Sequence, residues 1–90
     1  MKTKVIFKKF PENDIIAIFP EMDKWDYKGN LVSYMRFGQH GGCSPELLND
    51  LETACFHEYE SLYKELINLV GYKLQVDQRG DRDWETKTHV

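Results

Sequence analysis

The hydrophobic and polar positions of this chain alternate imperfectly over residues 3–10, run apolar over 15–19, alternate over 31–37, repeat every three or four residues over 56–70, and alternate again over 72–77. Those patterns are the signatures of three strands, a helix and a strand. Residues 3–10 are rich in β-formers, with Val5 and Phe7 on one face and Ile6 on the other, so this strand is expected to be covered on both sides or partly exposed on one. Pro11-Glu12-Asn13-Asp14 reads as a turn, because proline presets φ and the Asn/Asp pair accepts local backbone bonds. Residues 14–19 form the second strand, apolar from Ile15 to Phe19 as suits a sheet centre, and Pro20 ends it. The two strands predict an antiparallel hairpin.

A polar loop over residues 21–30 carries Trp25 and Tyr27, and Gly29-Asn30 leads into a third strand over 31–37. The glycine-rich run 38–43 reads most simply as a flexible hairpin connection. Ser44-Pro45-Glu46 has the form of a helix N-cap followed by proline at the first helical position. Residues 46–55 fit helix or strand equally well. From Phe56 to Val70 the apolar residues Tyr59, Leu62, Tyr63, Leu66, Leu69 and Val70 form one stripe, opposite Glu58, Glu60, Ser61, Lys64, Glu65 and Asn68. Gly71 fits the helix C-cap, and residues 72–77 alternate as a strand with Tyr72, Leu74 and Val76 inward. The expected fold is therefore α+β: one domain over 1–78, an antiparallel sheet of three or four strands packed against one long helix, in the order β-β-β-(short β or turn)-α-β. Residues 79–90 read as a flexible C-terminal tail.

Charge changes this picture little. The net charge is −3, with four lysines and no acid in the first ten residues, and six acids against Lys64 alone in 44–65. Lys2, Lys4, Lys8 and Lys9 read as guards of an exposed sheet edge. Alternatively, with Arg36 and Lys73, they form the patch of a nucleic-acid-binding module, which the acidic balance disfavours. No apolar run has the length of a membrane span and the N-terminus lacks the pattern of a secretory signal, so the expectation is a cytoplasmic protein without membrane attachment.

The residues able to carry chemistry are few. His40, Cys43, Cys55 and His57 are all metal-capable, but Cys55-x-His57 has the wrong spacing for the usual zinc module, and no metal, cofactor or catalytic residue is assigned. Cys43 and Cys55 are read as structural thiols. Gln39, His40 and Cys43, in the glycine-rich run, form the candidate ligand loop, where a backbone nest could receive an anion. Trp25, Tyr27 and Tyr34 form the candidate interaction surface, since aromatic side chains in a wet loop either fold back on the sheet or meet a partner. Arg79-Gly80-Asp81 reads as a coincidence.

Together, Val5-Ile6-Phe7-Lys8-Lys9-Phe10, the phrase Ala17-Ile18-Phe19-Pro20-Glu21, Ser33-Tyr34 with Gly38-Gln39-His40-Gly41, Glu58-Tyr59 with Leu62 and Leu66, and Gly71-Tyr72-Lys73-Leu74-Gln75-Val76 resemble a family of small uncharacterised proteins from bacteria, phages and mobile elements. The likeness spans residues 4–78. It implies an accessory-gene context and an extended lead-in over 51–55 with the helix starting near Phe56, and it brings no activity and no functional residues. Its members tend to have proline or threonine where this chain has Ala54-Cys55-Phe56, and many lack the two cysteines. The functional expectation is an accessory protein, not an enzyme, that works through a protein partner. A nucleic-acid module and a ligand or metal site around His40 and Cys43 are the alternatives.

Overall fold

Pro11 and Asn13 set the first turn. The Phe10 N–H donates to the Asp14 carbonyl at 2.9 Å and the Asn13 N–H to the Phe10 carbonyl at 2.8 Å. Asn13 takes φ 73°, a left-handed conformation that asparagine tolerates better than most residues. This turn joins β1 (Thr3–Lys9) to β2 (Ile15–Phe19) as the expected antiparallel hairpin. The computed structural model describes residues 2–36 and 38–78. The tail expected over 79–90, with Arg79-Gly80-Asp81, and Phe37 at the end of the expected third strand lie outside the described residues.

β3 (Leu31–Met35) pairs antiparallel with β2, and the chain then turns at Gly38, φ 79°, into β4 (Gln39–Cys43), antiparallel to β3. The run expected to be a loose hairpin connection is thus itself a strand. A glycine backbone can make the same ladder bonds as any other, and the Ser33 hydroxyl adds a bond to the Gly41 carbonyl at 3.0 Å. Ser44 then caps α1 (Pro45–Asp50), its Oγ accepting from the Leu47 N–H at 3.2 Å. The ambiguous residues after α1 settle into β5 (Glu52–Thr53).

α2 (Phe56–Glu65) begins at Phe56, and the Cys55 N–H donates to Glu58 Oε1 at 3.0 Å across its first turn. Its buried residues Tyr59 and Leu62 lie on the sheet, where the Tyr59 ring stacks on Phe7 with centroids 4.3 Å apart. Residues Leu66–Val70 wind as a π-helical turn, closed by Gly71 at φ 96°. Leu66 stays buried, but Leu69 is 81% exposed and Val70 is exposed as well, against the expectation that both continue the stripe. A π turn winds about one more residue into each turn, so positions along it rotate progressively off the face that the 3.6-residue period assigns them. β6 (Leu74–Val76) ends the described fold.

Among the described residues the sheet has six strands, in the order β4-β3-β2-β1-β5, and β6 also pairs with β1. All pairings are antiparallel except β1 with β6, which is parallel. β5 lies along Lys8 and Lys9, and β6 along Thr3 to Val5, so the two short strands share one side of β1. Gln78 bridges them: its side-chain amide accepts from the Phe7 N–H at 2.9 Å and donates to the carbonyls of Phe7 at 2.9 Å and Ala54 at 2.6 Å. β1 is therefore a central strand, and its lysines guard no edge. One face of the sheet carries Val5, Phe7, Ala17, Phe19 and Tyr34 against α2, and the other carries Ile16, Ile18, Leu31 and Cys43 against Leu48 and Leu51 around α1. No helix among the described residues is long and apolar enough to cross a membrane.

Candidate functional site

The β3–β4 register separates the candidate ligand loop. His40 pairs with Tyr34, on the α2 side, whereas Cys43 pairs with Leu31 and Gln39 with Met35, on the α1 side. His40 and Cys43 thus face away from each other, as strand positions of opposite parity must. Cys43 is a buried thiol, and burial pushes its pKa up, which makes it a core residue and a poor nucleophile. Cys55 is exposed at the start of α2. Among the described residues no group of three or more His, Cys, Asp or Glu side chains is placed to hold a metal ion.

Tyr34 is 1% exposed, which removes it from the candidate interaction surface: its position on β3 turns it under the end of the helix. Its hydroxyl donates to the Glu65 carboxylate and accepts from the Gly38 N–H at 2.8 Å. The His40 ring meets the Tyr34 ring edge-on with centroids 4.8 Å apart, and its Nε2 lies 3.1 Å from the Tyr72 hydroxyl. Tyr72 in turn stacks on Phe19 at 5.0 Å. Burial, then the bond to Glu65, raises the Tyr34 pKa, and burial raises that of Tyr72. Two phenols kept protonated, one imidazole and one carboxylate fasten the end of the helix to β3 and β4. Two open depressions among the described residues lie away from this cluster. One of about 210 Å³ is lined by Asp14, Ile15, Met35, Arg36 and Gln39, and another of about 200 Å³ by Lys2, Thr3, Lys4, Glu21 and Met22. Periodicity places Glu65 on the solvated helix face, but it stands three residues after the buried Leu62, at the border of the stripe, and there its carboxylate meets Tyr34.

The aromatic loop is held by its own polar groups. The Asp26 carboxylate accepts from the N–H groups of Lys28 at 3.0 Å and Asn30 at 3.3 Å, and from the Asn30 side-chain amide at 2.8 Å. These bonds, the Asn30 side chain first, hold the Asp26 pKa below the usual carboxylate value. The Trp25 N–H donates to the Asn30 carbonyl at 2.7 Å. Its indole lies over Gly42 of β4, where an added Cβ would come within 2.6 Å of Cδ1. Trp25 therefore folds back on the sheet and still leaves 49% of its surface open, while Tyr27 is 94% exposed.

Three of the lysines of the candidate basic patch are engaged by other groups of the chain. Lys4 pairs with Glu21 at 3.2 Å and Asp77 at 3.6 Å, and Lys9 with Glu58 at 2.5 Å and Glu52 at 3.7 Å. Lys8 is 3% exposed, its ammonium donating to the Leu51 carbonyl at 3.4 Å and Thr53 Oγ1 at 3.5 Å. In comparisons with known proteins, no family model, curated protein or solved structure matches this chain.

Proposed function

We propose that this chain is a small accessory protein that binds another protein through the aromatic surface of residues 21–30. The observation that carries this reading is Trp25, fixed at its base by Gly42 and Asn30 yet half open to solvent beside the wholly exposed Tyr27. Rigid, partly desolvated aromatic side chains make good binding anchors, because little side-chain freedom is lost on contact. The setting we attach to this role is the cytoplasm, in the accessory context that the resemblance implies. Two observations weigh against the alternatives. The ion pairs of Lys4 and Lys9 dilute the basic patch a nucleic-acid module would need, and His40 and Cys43 face opposite sides of the sheet.

The test is affinity capture from host lysate, with and without nuclease, using the wild-type protein and a Trp25→Ala/Tyr27→Ala variant. The expected result is a nuclease-resistant partner that the variant loses, while Tyr27→Ala alone melts within about 0.5 kcal/mol of wild type. A partner that the double variant retains, or one lost to nuclease, overturns the reading.

A further inference from the structure

We propose that two copies of this chain pair through β4, antiparallel and centred on Gly41, to form one continuous sheet. The proposal deepens the interaction reading by naming a second copy as a partner and β4 as the contact.

β4 pairs only with β3 among the described residues, and its positions Gln39, His40 and Gly42 are exposed. Every second residue of such a strand turns its backbone N–H and C=O away from the sheet, a template for another strand. Proteins usually protect such edges with charge, proline or brevity. The opposite side of the sheet has that protection. β5 has two residues, one of them Glu52, and β6 has three, flanked by Lys73 and Asp77. β4 has five residues, Gln-His-Gly-Gly-Cys, with neither an acid, a lysine, an arginine nor a proline. The local bond from the His40 N–H to the Gly38 carbonyl at 3.1 Å is one that an added strand would replace.

The second copy is the occupant because β4 is complementary to itself in this register. Gly41 meets Gly41 on the two-fold axis, His40 meets Gly42 of the other copy, and Gln39 meets Cys43. No like charges oppose each other, and the one bulky side chain on the α2 side, His40, always faces a glycine. The indole of Trp25 already lies over that glycine, so each imidazole comes up against the partner's Trp25. A C2 interface of this kind uses one patch twice.

The experiment is size-exclusion chromatography with light scattering on the wild type and on Gly41→Lys, together with oxidation of Gly41→Cys in a Cys43→Ala/Cys55→Ser background. A Cβ at position 41 has room, its nearest neighbour being Ser33 Oγ at 3.9 Å. The expected results are a wild-type dimer, self-association weakened about fivefold or more by the two facing lysines, and rapid disulfide dimerisation of Gly41→Cys. A wild-type monomer at high micromolar concentration overturns the proposal, as does a dimer indifferent to Gly41→Lys or a Gly41→Cys protein that fails to cross-link. If Gly41→Lys does not fold, the cross-linking arm decides. A monomer that still captures a partner through Trp25 and Tyr27 sinks self-pairing and leaves the interaction reading standing.

Discussion

Glu58 shows how one side chain can serve two elements. Its carboxylate accepts from the Cys55 N–H at the head of α2 and from the Lys9 ammonium at the end of β1. These partners, the backbone bond first, lower its pKa from 4.5 to about 2. A carboxyl whose folded pKa is depressed stabilises the fold fully above its unfolded pKa, and that contribution is lost as pH falls through the folded one. Glu58→Gln should therefore be less stable than wild type at pH 7, with the difference shrinking below pH 4.5 and gone near pH 2. Urea melts across that range check this, and a difference that persists at the acid end would assign the loss to packing instead.

At the scale of elements, the π turn divides two leucines that periodicity had put together. Leu66→Ala, fully buried, should lose about 2 to 4 kcal/mol, whereas Leu69→Ala should change stability by less than about 0.5 kcal/mol. Equal losses in a denaturant melt would mean that the stripe continues through Val70. The same division marks what could be read from sequence. The hairpin, the Ser44 cap, the start of α2 at Phe56 and the Gly71 cap were all legible, because each depends on local chemistry or an unbroken period. β4 was not, since Gly41 and Gly42 display no side-chain pattern and only pairing with β3 makes them a strand. Nor was the meeting of Tyr34, Glu65, His40 and Tyr72, which depends on cross-strand register and on where the border of the helix stripe falls. Trp25 and Tyr27 were legible as surface candidates from the polarity of their loop, but the seat that Gly42 gives Trp25 was not.

For the molecule as a whole, Gln78 has an importance that its sequence position hides. Its amide occupies the gap between β5 and β6 and makes three bonds, two of them to Phe7 and one to Ala54. Gln78→Ala leaves the buried Phe7 amide without that acceptor and should cost about 1 to 3 kcal/mol. Hydrogen exchange at Phe7 should accelerate more than exchange in β2 or β3. Uniform acceleration would show that the side chain contributes only to global stability.

The pairing of β1 with both β5 and β6 also bears on how the protein is made. A ribosome delivers β1 first, and β2 follows within a few residues, so the hairpin can close early. The other side of β1, with Val5, Ile6 and Phe7, finds its partners only once residues 52–53 and 74–78 have been synthesised. For most of translation the nascent chain therefore exposes an open, apolar strand that later becomes the middle of the sheet. Until residues 74–78 emerge, that unpaired edge is the kind of surface through which an incomplete chain aggregates.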